Sequence, residues 1–595
     1  MTDRELRDDF IRSSQKELLQ TILHEIPGNT LGDWKDTLES VLFLLFRHTE
    51  LYRGSLRLLV TDSPDIQVKM YPEGTFLVSS ALLDYIDITV YENAAESSRR
   101  IRNLDAEREA LLVPFLAIEA AHFALDQPFT KYKRITEKKA GSANPAMYTD
   151  EEIFKADSMA LVLMELAEFS SGSYINWLKT LGKIAKDKEV YPEFSDYLRS
   201  FPAPESRLAA IEAERKNIEN ITGEFSSVLT SLRTATAFSE SAAGLAALQE
   251  SYPHSSFIMR LNALILHQEW FFNLTFENQF LQTFFPVAQD FSPYRNAMIA
   301  LAKQNTARES QHTLIKNQNT IPGNVRIYNA ALDAYKNALE IYTDPAFSSS
   351  YAMLLARKGT EADRNNALSI AENAAAQEAG SHSIIARTNY ATLLFLMEAD
   401  SSRAYLLLEN LVSIASSESV QSRVLITEGF PGDFRDILLN QALMMRMQGN
   451  VVRLNEKLSA LEKMSIPENV KSTPIRFIAP GDNTDELLIR WGQPSEIVYN
   501  YYTEKWMYPS LAADIFAIPE DKTKRTGKIT LIKLKTGSPI SPAGNIRTGD
   551  SRADFESVFG SPLYQAGDSR IYLKDGNRYA VLYLAGKIRQ IIISR

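Results

Sequence analysis

The sequence predicts a mainly α-helical chain with smaller α+β parts, and three observations support this fold class. Apolar residues recur at helical spacing through a first segment, 1–222, which also holds two short strand-like stretches. A middle segment, 223–467, has the pattern of successive helices. From about residue 475 the composition shifts towards Gly, Pro, Tyr and Ile, and strands dominate. With 595 residues the chain is too long for one hydrophobic core, so we expect several domains.

The first segment begins with helices and continues into strands. Amphipathic patterns predict helices over 4–26 and 34–51. A strand is predicted at 56–60 and another at 75–78, with Gly74 in the turn that precedes the second. Long helices are then predicted at about 105–126, 149–169 and 205–221.

The middle segment is predicted to form an α-solenoid of the tetratricopeptide-repeat (TPR) type. Ala331, Tyr335 and Ala338 have the small–aromatic–small spacing of a second repeat helix. Small residues let paired helices approach closely, and stacked pairs bury apolar surface that one pair leaves open. Similar helix openings occur at Tyr351, Ala352 and Leu355, and at Tyr390, Ala391 and Leu394.

Aromatic residues recur near the end of one predicted solenoid helix and beyond it, at Trp270, Phe272, Phe276 and Phe280. Two interpretations stay open. These side chains can form a groove for a hydrophobic segment of a partner protein, which makes them candidate partner-binding residues. Alternatively, the helix packs into its neighbours through them.

The last segment repeats itself. Residues 485–494 and 553–562 each read as a short helix that ends in Gly-x-Pro, a stop signal. We therefore predict two small α+β units with antiparallel sheets, 475–538 and 539–595. The predicted strands are 505–508, 529–534, 570–573, 579–584 and 587–594. This layout resembles the small domain of SmpA/BamE-like outer-membrane-assembly lipoproteins, present twice.

Charge and composition exclude several classes of function. The formal net charge is −10 and no basic cluster stands out, so we expect no nucleic-acid partner. The absence of cysteine excludes disulfides, thiolate zinc sites and cysteine nucleophiles. The longest apolar run, 111–125, contains Glu119 and His122 and is too short to span a bilayer, so we expect no transmembrane segment. We expect any export signal or lipid anchor to lie outside the sequence shown.

Four motifs in 56–207 follow the order of a known peptidase family. A strand with a turn at 60–64 and a Gly-containing stretch at 74–78 come first. A helix with the sequence IEAAH over 118–122 follows, then Ala156-Asp157, then SFPAPESR over 200–207. The segment resembles the membrane-associated gluzincin peptidases of the HtpX and CAAX-prenyl-protease type. Their corresponding motifs are H-E-x-x-H, E-x-x-A-D and T-H-P-x-x-x-x-R, so the resemblance implies a gluzincin-like peptidase domain over 1–222.

The resemblance implies a zinc site that this chain has lost. In the family, two histidines at i and i+4 and a later glutamate hold zinc, and the fourth position is open to water. Here the first histidine position is Ile118, the glutamate position is Ile153, and the family's later histidine falls on Phe201. The remnant polar positions are Glu119, His122, Asp157 and Arg207.

These substitutions have a physical reason. A buried ligand without its metal is an unsatisfied polar group, which costs about 1–3 kcal/mol, and an apolar side chain removes that cost. We therefore expect no catalytic residue, no cofactor and no bound zinc, with His122 as the one remnant ligand. Asp157, which would have oriented the missing histidine, needs a new partner, either Arg207 or a backbone amide.

The sequence thus predicts a non-catalytic pseudo-metalloprotease that binds other proteins as a scaffold or as an assembly or quality-control factor. Family relatives that carry TPR repeats work in bacterial envelope quality control, so the resemblance implies a location in the periplasm or cell envelope. One alternative is an active zinc metalloprotease, in which Glu151 or Glu152 and His24 or His48 replace the lost ligands. Another is a cytoplasmic TPR-type adaptor.

Overall fold

A computed structural model gives the fold of the chain. It describes residues 2–26, 31, 34–51, 56–72, 74–96, 104–137, 148–187, 189–234, 238–274, 323–341, 343–358, 360–376, 383–397, 401–416, 425–426, 440–445, 448, 450–464, 478–491, 493–499, 504–521, 526–543, 546–566, 569–584 and 586–594. Helices make up most of these residues, and a smaller mixed sheet and a large antiparallel sheet complete the fold.

The N-terminal part opens with two helices and a mixed sheet. Its first elements are α1 (Asp3–Ile22), α2 (Trp34–Leu42) with a π-helical turn after it, β1 (Leu56–Thr61), β2 (Val68–Met70) and β3 (Thr75–Ser79). The strand order is β2-β3-β1-β4, where β4 (Leu425–Ile426) comes from the middle of the chain. Strands β1 and β3 are parallel, and β2 pairs antiparallel with β3. Gly74, with a φ of 87°, lies in the turn between β2 and β3, where a side chain would be strained.

Helices then build the core of this part around α4. They are α3 (Ser80–Glu96), α4 (Leu104–Ala124), α5 (Gln127–Thr136), α6 (Asp150–Leu166), α7 (Ser171–Lys186), α8 (Ser195–Arg199) and α9 (Pro204–Thr234). From Leu112 to His122 every residue of α4 except Glu119 is buried. A capping box between Thr149 and Glu152 fixes the start of α6, which packs against both α4 and α9.

The middle part is helical. Its helices are α10 (Phe238–Ser251), α11 (Ser256–Phe272), α12 (Val325–Leu339), α13 (Pro345–Leu355), α14 (Glu361–Ala376), α15 (Ile384–Leu396), α16 (Ser401–Ser416) and α17 (Val451–Met464). Helix α11 packs against α12, α13 against α14, and α15 against α16. Ala331 and Ala338 are fully buried on α12, where small side chains permit close packing, and the Tyr335 hydroxyl lies 3.1 Å from His267 Nδ1.

The C-terminal part forms one antiparallel sheet of eight strands. Its elements are α18 (Thr484–Trp491), β5 (Glu496–Tyr499), β6 (Glu504–Tyr508), β7 (Ala513–Asp521), β8 (Thr526–Leu534), α19 (Arg552–Phe559), β9 (Tyr564–Ala566), β10 (Ser569–Lys574), β11 (Asn577–Leu584) and β12 (Lys587–Ser594). The strand order is β5-β6-β7-β8-β12-β11-β10-β9. The last strand of each repeat therefore pairs with the last strand of the other, so the two sheets expected from the sequence are joined into one.

The two halves of this sheet repeat the same local hydrogen bonds. In the first half, the Gly481 N–H donates to the carbonyl of Ile529 at 2.6 Å and the Ile529 N–H donates to the carbonyl of Asp482 at 2.9 Å. In the second half, Gly549, Ile588 and Asp550 form the same pair of bonds at 2.6 and 2.9 Å. Both glycines have a positive φ, of 100° and 98°. The predicted internal repeat is therefore present in the backbone geometry.

The second half of the sheet contacts the N-terminal part. Arg589 Nη2 on β12 donates to Glu109 Oε1 on α4 at 2.5 Å, and Ser40 on α2 also donates to that carboxylate, at 3.3 Å. Burial raises the pKa of Glu109, and the charge of Arg589 acts against that shift. Leu582 and Leu584 join the same apolar core as the helices.

The coarse fold class is thus confirmed: the chain is mainly helical, with α+β parts. The predicted strands all lie within observed strands, and the predicted long helices match α4, α6 and α9. Helix α9 continues past residue 222 to Thr234. Within the described residues, no helix has both the length and the apolar character needed to cross a bilayer.

The Arg589–Glu109 pair gives a first testable prediction. We expect Arg589→Met to lower the free energy of unfolding by about 2 kcal/mol or more, because it leaves a mostly buried carboxylate without its cation. Lys587→Met is the matched control, since Lys587 pairs with Asp105 on the same helix but both side chains are more than a third exposed. Urea unfolding of both variants measures the difference, and equal losses would contradict the prediction.

Candidate functional site

Three helices carry most of the residues that the sequence motifs identified. Ile118, Glu119 and His122 lie in the last two turns of α4. Ile153 and Asp157 lie on α6, which packs along α4. The sequence spacing predicted this arrangement, because residues three and four apart share one face of a helix.

Arg207 lies in the first turn of α9, which packs against α6, and Phe201 precedes that helix by three residues. The last of the sequence motifs therefore reaches the same region as the two before it.

His122 is fully buried, and its hydrogen bonds fix its tautomer. Gln127 donates through Nε2 to the carbonyl of Glu152 at 2.9 Å, so its Oε1 faces His122 Nδ1 at 2.5 Å. An amide oxygen only accepts, so Nδ1 carries the proton. The lone pair of the neutral imidazole is then on Nε2, which has no hydrogen-bond partner among the described residues.

Burial also keeps His122 neutral. It lowers the pKa of the imidazole to about 4, since the charged form loses its hydration. The ring of Tyr148 stacks on His122 with centroids 4.2 Å apart and planes 9° apart. Lys131 Nζ lies 4.6 Å from the centre of the Tyr148 ring. His122 is thus enclosed by side chains that do not belong to the sequence motifs.

Glu119 has a different environment from His122. Glu119 is half-buried, and its helix packs against the edge strand β2. Burial raises the pKa of Glu119 to about 7, and Lys69, the Met70 N–H and Lys131 act in the opposite direction. A carboxyl group with a pKa near 7 has the protonation behaviour of a general base.

Asp157 accepts hydrogen bonds from two side chains, Arg207 and Tyr174. Arg207 donates to it twice, from Nε to Oδ2 at 3.0 Å and from Nη2 to Oδ1 at 2.6 Å. The Tyr174 hydroxyl donates to Oδ1 at 2.6 Å. The Asp157 and Arg207 side chains are 1% and 0% exposed, so this is a fully buried, bidentate ion pair. Of the two partners expected for Asp157, the structure has Arg207.

The three substituted positions are apolar and buried to different degrees. Ile118 and Ile153 are both fully buried, and Ile118 belongs to the main apolar core. Phe201 is half-buried and packs against the same core. Its ring lies 4.8 Å from the Arg207 guanidinium and 5.0 Å from the Tyr197 ring. Phe201 thus lies against the Arg207 side of the ion pair.

Of the substitute ligands considered from the sequence, both glutamates pair with basic side chains, and the side chain of His48 lies outside the described residues. Both oxygens of Glu152 accept from Arg134, at 2.9 and 3.1 Å. Glu151 is exposed and pairs with Lys155, and His24 is exposed after the end of α1. Across the ranges that the structure describes, no three His, Asp or Glu side chains are grouped closely enough to hold a metal ion.

The structure places two of the four candidate partner-binding aromatic residues in the helical core. Trp270 is 1% exposed and packs edge-on against Tyr328 at 5.2 Å. Phe272 is 9% exposed and stacks with Phe238. Both side chains belong to the helical core, where neighbouring helices pack against their apolar surface. They therefore do not form an open groove. Phe276 and Phe280 lie outside the described residues.

The sequence motifs did not predict several residues of the site. Gln127, Tyr148, Tyr174 and Tyr197 contact or surround the motif residues, yet none belongs to a motif. Gln127 follows His122 by five residues and lies on the next helix, so no helical periodicity connects the two. The one available signal was the density of tyrosines between residues 148 and 201.

The buried ion pair gives a second prediction. We expect Asp157→Asn to lower the free energy of unfolding by about 3–5 kcal/mol, because Arg207 would be left as a buried, uncompensated charge. The control is Asp196→Asn, since Asp196 pairs with Arg199 on the surface and should change stability by less than about 0.5 kcal/mol. Chemical unfolding monitored by tryptophan fluorescence compares them, and an Asp157→Asn cost as small as that of the control would refute the prediction.

The raised pKa of Glu119 gives a third prediction. A carboxyl group whose folded pKa is about 7, above its unfolded value, adds stability at low pH that is lost as the pH rises through 7. Glu119→Gln removes this dependence, so the unfolding free energy of the variant should rise relative to wild type between pH 5 and pH 8. Urea unfolding at several pH values measures the difference.

His122→Gln should act in the opposite direction. The folded pKa of His122, about 4, lies below its unfolded value, so its contribution is lost as the pH falls towards 4. The variant should therefore gain stability relative to wild type on acidification. Parallel pH profiles for wild type and both variants would overturn the two assignments.

No family model matches the chain, and no curated protein matches it.

Proposed function

We propose that this chain is a non-catalytic relative of the HtpX and CAAX-prenyl-protease-type gluzincins and binds other proteins as a scaffold or assembly factor. The main observation behind the proposal is the set of hydrogen bonds that Asp157 accepts. In the family an aspartate at this place orients the first zinc-binding histidine. Here that histidine is the buried Ile118, and Asp157 is bound instead by Arg207 and Tyr174.

The chemistry of zinc hydrolysis supports the same proposal. A catalytic zinc needs three protein ligands and one position open to water. Ile118 and Ile153 offer no ligand atoms, both are fully buried, and Ile118 lies in the main apolar core. His122 alone is left of the three, and one imidazole does not hold zinc tightly enough for catalysis.

The rest of the chain supports a binding role by its architecture. We propose that the paired helices α11–α16 form a TPR-like solenoid and that the C-terminal sheet contains two SmpA/BamE-like units. Helical repeats of this kind offer large surfaces for other proteins. Together with the family resemblance, this favours a role in assembly or quality control in the bacterial cell envelope. A role as a cytoplasmic TPR-type adaptor is the alternative for the location.

A specific observation favours a second candidate, an active zinc metalloprotease. His122 presents its Nε2 lone pair without a partner among the described residues, as a zinc ligand would. Glu119 has a pKa of about 7, which suits a general base at neutral pH. We rank this candidate second because it needs two further ligands, and Glu151 and Glu152 are engaged with Lys155 and Arg134.

Zinc binding decides between the two candidates. We expect purified wild-type protein to bind no stoichiometric zinc at micromolar concentrations. The double variant Ile118→His, Ile153→Glu should bind one zinc per chain, because it restores an i, i+4 histidine pair together with a carboxylate from the adjacent helix. Metal analysis after dialysis and calorimetric titration give the stoichiometry.

The matched control for that experiment is Ile118→His, Ile153→Gln, which adds similar bulk and polarity with one ligand fewer. It should bind zinc at least tenfold more weakly than the double variant. Stoichiometric, chelator-sensitive zinc in the wild type would overturn the proposal in favour of the protease.

A further inference from the structure

Helix α5 contacts the buried His122 with one face and the N-terminal helix α1 with the other. Gln127, Lys131 and Arg134 are spaced i, i+4 and i+7, so they share the first of these faces. Gln127 bonds His122, and Lys131 lies over the aromatic ring that stacks on His122. Arg134 donates twice to Glu152 at the start of α6. On this side α5 therefore covers His122.

The opposite face of α5 is held by α1. Arg7 donates to both oxygens of Asp126, at 3.0 and 2.6 Å, and its guanidinium lies 3.8 Å from the centre of the Phe129 ring. Both side chains of this ion pair are mostly buried, with 15% and 14% of their surface exposed. The Phe10 ring lies 5.8 Å from Phe129 and 5.3 Å from Tyr132, measured between centroids. Helix α1 thus braces α5 from the side away from the site.

Helix α1 is itself anchored beyond its C-terminal end. The Ile26 N–H donates to the carbonyl of Val60 on β1 at 2.8 Å, and the Asp62 N–H donates to the carbonyl of His24 at 3.0 Å. Backbone bonds to the mixed sheet fix this end of α1, while side-chain contacts join its first half to α5. The position of α5 therefore depends on contacts that side-chain substitutions can remove.

The corner between α4 and α5 is narrow and has an unusual backbone conformation. Helix α4 ends at Ala124, and Asp126, the residue before α5, has a φ of 55° and a ψ of 26°. Few side chains adopt this left-handed conformation, and Asp and Asn are the ones that tolerate it best apart from Gly. Within α5 itself only Gln127 and Phe129 are fully buried. A helix with so few buried apolar contacts has low local stability.

We propose that α5 is a hinged lid over His122, with its pivot at Asp126 and its latch in Arg7, which bonds the pivot and covers Phe129. Rotation of α5 about this corner breaks the Gln127–His122 bond and exposes the Nε2 of His122, an acceptor that bonds no residue within the ranges that the structure describes. The inference is independent of the proposed function, because it rests on the contacts of α5 and holds for both candidates.

Acylation of histidine by diethyl pyrocarbonate measures this opening, because the reagent needs an unprotonated ring nitrogen that solvent reaches. Three histidines of the folded chain give the scale. We expect the exposed His24 to react first and His122 to react slowly. His267, which is 1% exposed in the helical core away from α5, should be the slowest of the three. Mass spectrometry of the peptides gives the rate at each position.

Removal of the latch should accelerate the reaction at one histidine alone. We expect Arg7→Met to raise the acylation rate of His122 at least about fivefold and to leave that of His267 unchanged, because it releases α5 without loosening the core. Asp126→Asn should act in the same direction, since Asn keeps the left-handed conformation and loses the charge. A His122 rate that neither variant changes, or one that rises together with that of His267, contradicts the lid.

A matched control and a locked form complete the test. Arg12→Met lies on the same helix and breaks only a pair with Asp9 whose side chains are 70% and 44% exposed, so the His122 rate should stay at the wild-type value. The chain has no cysteine, so Asp3→Cys and Lys133→Cys, at an exposed pair between α1 and α5, can be joined by a short bismaleimide. This cross-link should lower the His122 rate, and an unchanged rate argues against the proposal.

Discussion

The enclosure of helix α4 is the constraint on which the N-terminal part depends. Its neighbours are the edge strand β2, the helices α2, α3, α5, α6 and α7, and strand β12 of the C-terminal sheet. A buried polar side chain on such a helix needs a partner from another element, because water does not reach it. The three buried polar residues of α4 each reach a different neighbour: Arg108 bonds Asp87, Glu109 bonds Arg589, and His122 bonds Gln127.

The same constraint accounts for the polar and apolar side chains of this region. Ile118 and Ile153 are both fully buried, and Ile118 lies in the main apolar core, where a polar side chain without a partner would be unsatisfied. His122 bonds Gln127, so an apolar replacement would leave the Gln127 amide oxygen without its partner. Asp157 and Arg207 stabilise one another, and losing either would leave a buried charge.

Much of the fold could be predicted from the sequence, because periodicity and turn signals are local. Strands β1 and β3, helices α4 and α6, and the repeated helix before each half of the C-terminal sheet follow from such patterns. The pairing of β8 with β12 could not be predicted, since an apolar strand does not encode which distant strand it joins. For the site, the motif identified Ile118, Asp157 and Arg207, but Gln127 and Tyr148 meet His122 only through tertiary packing.

The join between β8 and β12 has a consequence for how the C-terminal part can grow. Two copies of one unit meet through the same strand in antiparallel register, as the subunits of a two-fold dimer do. Such a contact is self-complementary, and it leaves neither copy with that edge free for further pairing. A third copy of the unit would find no matching strand to pair with, so duplication by this contact stops at two. The sheet therefore has the symmetry of a dimer within one chain. Among the described residues its edge strands are β5 and β9, and the strands at its centre are paired on both sides.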